Sequence, residues 1–118
     1  MRYRHQSYLR PHRRRWGLTQ QELAFLIGAK SRTAVSRIES SKRKPSLDAV
    51  FICEMIFNTS PLELFPGLMS DLQVAILRRA SELYEKLQGD PSKATRLKLD
   101  FLERLLERVE GKRIDATI

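Results

Sequence analysis

Three helix starts fall between Leu18 and Ser46, and so tight a succession leaves room only for short helices folded back on one another. Thr19 and Glu22 have the spacing of a capping box, in which the hydroxyl accepts from the amide three residues on and the carboxylate reaches back. That spacing predicts a helix running to Ile27, closed by Gly28 in a left-handed turn. Ser31 is a suitable N-cap for the next helix, which runs to about Ser40 with Ala34, Val35 and Ile38 on its inner side. Its outward positions are then Arg32, Thr33, Ser36 and Arg37. A basic loop, Lys42-Arg43-Lys44, leads to Pro45-Ser46 and Asp48, which open a further helix.

Helical punctuation extends through the rest of the chain, and no alternation of period two is long enough to argue for a strand. The expected fold class is all-α. Pro11 disfavours helical geometry at Arg10, so the first helix should begin near Pro11 and stop at Trp16 and Gly17. Trp16 and Phe25 are expected to pack the first two helices together, and Arg13 to Arg15 form a basic cluster. The helix after Ser46 carries Leu47, Val50, Phe51, Cys53, Met55, Ile56 and Phe57, too many for one surface stripe, and reads as the central core helix. Ser60-Pro61-Leu62-Glu63 announces a short fifth helix before Pro66-Gly67 breaks the chain.

Beyond that break Ser70 and Gln73 form another capping-box pattern, and Leu72, Ile76, Ala80, Leu83 and Leu87 recur at helical spacing until Gly89. Asp90-Pro91 starts a second helix at once. Its apolar positions Ala94, Leu97, Phe101, Leu102, Leu105, Leu106 and Val109 cover more of the circumference than one antiparallel partner would bury. Either the earlier helices or the same hairpin of a second copy must cover the remainder, and the second copy is the expectation carried forward. The organisation reads as a flexible basic arm over 1–8, a helical module over 9–66, a helical hairpin over 70–110 and a tail over 111–118.

Charge points to the kind of partner. The chain of 118 residues carries 22 Lys/Arg against 14 Asp/Glu, a formal +8. Residues 1–66 hold 12 basic against 5 acidic side chains, and residues 67–118 hold 10 against 9, so a polyanion would meet the first half. Cys53 is the only cysteine, which excludes an internal disulfide or a cysteine-based metal cluster and suits a reducing cytoplasm. The start of the chain has no apolar stretch behind its charges, and the longest apolar run, residues 49–53, falls short of the roughly 20 residues of a membrane span. The expectation is therefore a cytoplasmic location, with no membrane. His5 and His12 lack a nearby carboxylate, and there is no glycine-rich phosphate loop, no His-Glu-x-x-His and no nucleophile beside a base. Neither catalysis nor a cofactor or metal is expected.

The residues Gln20, Leu23, Ala24, Gly28, Val35, Ile38, Glu39 and the run Lys-Arg-Lys-Pro-Ser-Leu-Asp from Lys42 to Asp48 resemble the Cro/C1-type (XRE-like) helix-turn-helix DNA-binding regulators. The likeness covers about residues 9–66. It implies a five-helix, lambda-repressor-like module, here followed by the two-helix hairpin. Three departures stand out. One extra residue lies between Gly28 and Glu39, Ser41 stands where glycine usually ends the recognition helix and should leave that exit less sharply defined, and His12 with Pro11 alters the first helix.

The resemblance implies double-stranded DNA as partner, with the helix from Ser31 to Ser40 in the major groove. Arg32, Thr33, Ser36 and Arg37 are the candidate base contacts, since arginine can grip guanine O6 and N7 and a threonine methyl suits thymine. Gln20, Lys30, Ser31, Lys42, Arg43, Lys44, Arg14 and Arg15 are the candidate phosphate contacts. Arg13 is set apart, because the family pairs an arginine there with a carboxylate, Glu39 or Glu22. Arg2, Tyr3 and Arg4 could follow a backbone or stay a loose tail. Leu97, Phe101, Leu102, Leu105, Leu106 and Val109 are the candidate dimerisation residues, and a homodimer would suit an inverted-repeat operator. The leading expectation is a repressor. Its rival is an antitoxin-like protein whose hairpin binds an unlike protein while it regulates its own promoter, and an enzyme accessory role stands behind both.

Overall fold

A computed structural model describes residues 7–112, so Arg2, Tyr3, Arg4 and His5 lie outside the described residues. Among the described residues seven helices follow one another: α1 (Leu9–Arg15), α2 (Gln20–Ile27), α3 (Arg32–Glu39), α4 (Leu47–Phe57), α5 (Pro61–Leu64), α6 (Pro66–Lys86) and α7 (Lys93–Gly111). No strand occurs among the described residues. The chain divides into two compact units, one through Met69 and one from Ser70.

The first unit is closed around Leu9, Leu23, Ala24, Ile27, Val35, Ile38, Ala49, Cys53, Phe57, Leu64 and Phe65. Each of the first five helices contributes to this cluster or abuts it. Ala24, 1% exposed, lets α3 cross close to α2. Cys53 is also buried there, and burial pushes its thiol up to about 11. The capping box forms as expected: Thr19 Oγ1 accepts from the Glu22 amide at 3.0 Å and Glu22 Oε1 accepts from the Thr19 amide at 2.9 Å.

The helix ends share one device. After α1, Gly17 at φ 72° lets the Leu18 amide reach the Arg13 carbonyl and its own amide reach Arg14. After α2, Gly28 at φ 74° does the same with Ala29 to Ala24 and with itself to Phe25. After α3 the left-handed residue is Ser41, at φ 63°, with Lys42 donating to Arg37 at 2.8 Å and Ser41 to Ile38 at 3.1 Å. The exit expected to be loosely defined is therefore a closed two-bond turn. Serine holds it against the Cβ repulsion that glycine avoids, and Ser41→Gly is expected to raise stability by about 0.5–1 kcal/mol. Urea unfolding checks this, since the midpoint should rise with the slope unchanged.

Several expected boundaries move. α1 begins at Leu9 because Pro11 falls within the first turn, where no intrahelical amide bond is lost and no carbonyl of a preceding turn is struck. Pro66 does not break the chain. It opens α6 as a first-turn proline, the Met69 amide donates to the Phe65 carbonyl, and Ser70 and Gln73 sit inside the helix rather than capping it. Ser92, not Asp90, caps α7: its hydroxyl accepts from Thr95, while the Asp90 carboxylate accepts from the Ser92 amide and the Thr95 hydroxyl. Those bonds hold the Asp90 carboxyl below its ordinary value.

Burial also departs from expectation on two helices. In α4, Ala49, Cys53 and Phe57 are buried but Leu47, Phe51 and Met55, four apart, are exposed, so only one side of this helix is core. Trp16 and Phe25 do not pack α1 on α2; they are 66% and 82% exposed. Short helices present few inward positions, and Leu9 and Arg13 on α1 and Leu23, Ala24 and Ile27 on α2 already fill them.

In the second unit α6 and α7 run antiparallel, tied by Tyr84 Oη donating to Glu103 Oε2 at 2.7 Å and by Gln73 Nε2 donating to the Lys112 carbonyl at 3.2 Å. The Glu103 carboxylate raises the Tyr84 hydroxyl above its ordinary value. Ala80, Thr95 and Leu102 are buried, whereas Leu72, Val74, Ile76, Leu83, Leu97 and Phe101 are exposed.

Candidate nucleic-acid interface

α3 is fixed by its inner side and its C-terminal end. Val35 and Ile38 enter the core at 0% and 6% exposure. Glu39, whose side chain is fully buried, accepts from three directions: Arg13 donates through Nε and Nη2, Arg10 through Nε at 3.1 Å, and Gln20 through Nε2 at 3.1 Å. Arg13 also donates through Nη1 to the Leu18 carbonyl at 2.8 Å. One carboxylate thus joins α1, the start of α2 and the end of α3. Of the two expected partners for Arg13, Glu39 is the one used.

Burial opposes the charge on Glu39, but the hydrogen bonds from Arg13, Gln20 and Arg10 outweigh it and hold the carboxyl below its ordinary 4.5. The ion pair is therefore formed at neutral pH. Gln20, expected as a phosphate contact, here donates one amide hydrogen to Glu39 and so braces the end of α3.

With the inner side held, Arg32, Thr33 and Arg37 are exposed and Ser36 is half-buried. Neither Arg32 nor Arg37 has a carboxylate partner among the described residues. Ser31 occupies the N-cap position with extended backbone, yet its side chain makes no capping hydrogen bond. The expected cap is thus one of position only. Lys30, Ser31, Lys42, Arg43, Lys44, Arg14 and Arg15 are all exposed. Lys42 to Lys44 follow the closed turn at the end of α3 that Glu39 pins, and Arg14 and Arg15 follow the buried Arg13 on α1, pointing to its exposed sides.

The sequence reading missed Trp16 as a surface group. Its ring lies against the Arg15 guanidinium, 5.7 Å from the ring centroid. An aromatic directly following three arginines was the available signal. His12, by contrast, is half-buried with its ring 5.8 Å from that of Phe57, a packing position. Among the described residues no group of three His, Cys, Asp or Glu is placed to hold a metal ion.

The helix-turn-helix family model matches residues 13–64, from the arginine that grips Glu39 to the end of α5. Residues 13–64 belong to the helix-turn-helix family. The match is of the Cro/C1 type, a family of DNA-binding regulatory domains. The matched segment includes α3, the loop after it and the paired Arg13 and Glu39, while Arg10, which also donates to Glu39, lies just before it. No curated protein and no solved structure matches the chain. No helix among the described residues is long and apolar enough to cross a membrane.

Proposed function

We propose that this chain is a sequence-specific regulator that inserts α3 in the major groove of double-stranded DNA. The observation that carries the reading is the division of α3 itself: Val35, Ile38 and Glu39 are locked inward while Arg32, Thr33 and Arg37 stand exposed without carboxylate partners among the described residues. Arg32 and Arg37 suit guanine, Thr33 suits a thymine methyl, and Ser36 can take either a base or a phosphate. Lys30, Ser31, Lys42, Arg43, Lys44, Arg14 and Arg15 hold the register on phosphates. Occupying a promoter blocks it, so repression is the expected sign. Selecting bound fragments from random DNA tests the reading; enrichment of one motif supports it, and recovery of unrelated sequences only would contradict it.

The regulator acts as a homodimer joined through the hairpin. Leu97 and Phe101 on α7, four residues apart, are 64% and 58% exposed, and α6 adds exposed Leu72, Ile76 and Leu83. Such a run of apolar side chains on one helical unit gains most by meeting its own copy. Leu102 drops out of the contact set, because at 3% exposure it has no area left to offer. Leu105, Leu106 and Val109 are half-buried and can contribute only part of their surface. Two recognition helices roughly 34 Å apart would then read an inverted repeat. Light scattering is expected to give twice 13.8 kDa for the full chain and 13.8 kDa for the Leu97→Glu, Phe101→Glu double variant, with helicity retained. A monomer at working concentration would remove the dimer and leave the hairpin to an unlike protein, as an antitoxin-like role requires.

A further inference from the structure

Trp16 is a bulky apolar ring left two-thirds in water at the edge of a basic domain, at the C-cap of α1. The ring is not on a loose loop. Its amide donates to the Arg13 carbonyl at 3.2 Å, Gly17 donates to Arg14 at 3.0 Å and Leu18 donates back to Arg13 at 3.2 Å. The Arg13 side chain, in turn, is held by Glu39 at the end of α3 and by the Leu18 carbonyl. The turn from Arg13 to Leu18 is therefore anchored next to the C-terminal end of α3, the end from which the Lys42 to Lys44 loop departs. Arg14 and Arg15 are exposed and have no carboxylate partner among the described residues.

We infer that Arg15 and Trp16 form an additional contact with the backbone of duplex DNA, the ring lying on a deoxyribose face while the guanidinium takes the adjoining phosphate. The inference rests on the DNA-binding reading above, which already gives Arg15 a phosphate, and adds the Trp16 ring beside it. A nucleic-acid backbone alternates an anionic phosphate with an apolar sugar face. The Arg15–Trp16 pair offers the complement of both side by side, a cation 5.7 Å from a ring centroid. A carboxylate-bearing protein would satisfy Arg15 but not the ring beside it. The contact carries no base information, so it adds affinity without changing the preferred sequence.

Trp16 is the only tryptophan, so its emission reports this one position. The experiment titrates the full chain with a fluorescein-labelled duplex of mixed sequence at low salt. Duplex anisotropy is followed in one channel and, with unlabelled duplex, tryptophan emission in another. Emission is expected to change and to saturate with the anisotropy curve. Trp16→Ala is expected to weaken binding about fivefold on any duplex, and Trp16→Phe by less, with helicity unchanged. Constant emission while anisotropy saturates would overturn the inference and leave the role of α3 standing. So would a Trp16→Ala variant that binds as the parent does. A larger emission change with single-stranded oligothymidine than with duplex would assign the ring to base stacking and also overturn the backbone contact. Anisotropy that never rises would overturn the DNA-binding reading itself, and this inference with it.

Discussion

Glu39→Gln should unfold the helix-turn-helix domain in markedly less urea, with a loss of about 3–5 kcal/mol, because the buried Arg13 guanidinium would then face no opposite charge. Glutamine keeps the volume but only one acceptor, its amide nitrogen being a donor set against donors, so the loss is one of charge and hydrogen bonding and not a cavity effect. A domain of this size is stable by about 5–15 kcal/mol, so the variant would sit close to its unfolding threshold. Arg10 loses the same partner, at little cost because its side chain is 42% exposed and screened by solvent.

The same pair sets an acid limit. The folded Glu39 carboxyl titrates below its ordinary value, so its contribution is present above the unfolded value and is lost as pH falls through the folded one. The parent should therefore lose stability in the range below about pH 4, and Glu39→Gln should lack that part of the acid limb. Replacing the pair together, Arg13→Met with Glu39→Leu, is expected to cost less than either single change, since no unpaired charge is left inside. Additive losses in that cycle would show the two side chains to be uncoupled.

The second large effect separates the two kinds of DNA contact. Arg32→Ala should remove about 1–3 kcal/mol of discrimination at one base pair, roughly a tenfold to hundredfold loss in preference there, if its guanidinium spans guanine O6 and N7. Lys42→Ala should instead weaken every duplex alike and flatten the dependence of log affinity on log salt by about one unit. The structure motivates this division. Arg32 begins α3, at the end that a groove-bound helix turns toward base edges, whereas Lys42 follows the closed turn after Ser41. Both side chains are exposed, so neither substitution disturbs the core.

Features fixed by contacts a few residues apart were the legible ones. The Thr19 and Glu22 box, the Gly28 turn and the Ser46 and Ser60 caps form where their spacing places them. The inward set of α3 followed from helical periodicity, and the pairing of Arg13 came from the family resemblance. Exposure was less legible. Trp16 and Phe25 read as packing residues because apolar character was taken for burial, yet α1 has only seven residues and its inward positions are spent on Leu9 and Arg13. Pro66-Gly67 read as a break, but a proline cannot by itself tell whether the chain stops or a helix starts. Ser41 gave no hint of a left-handed backbone. That conformation comes with the Schellman-type bonds of Ser41 to Ile38 and Lys42 to Arg37 that end α3.

The most direct test of a groove-reading α3 is a binding matrix: parent, Arg32→Ala and Lys42→Ala, each measured against the selected duplex, its single-base variants and a scrambled duplex at several salt concentrations. Arg32→Ala is expected to flatten preference at one position, and Lys42→Ala to lower all affinities together with a shallower salt slope. Equal losses on selected and scrambled DNA for both variants would contradict base readout by this helix.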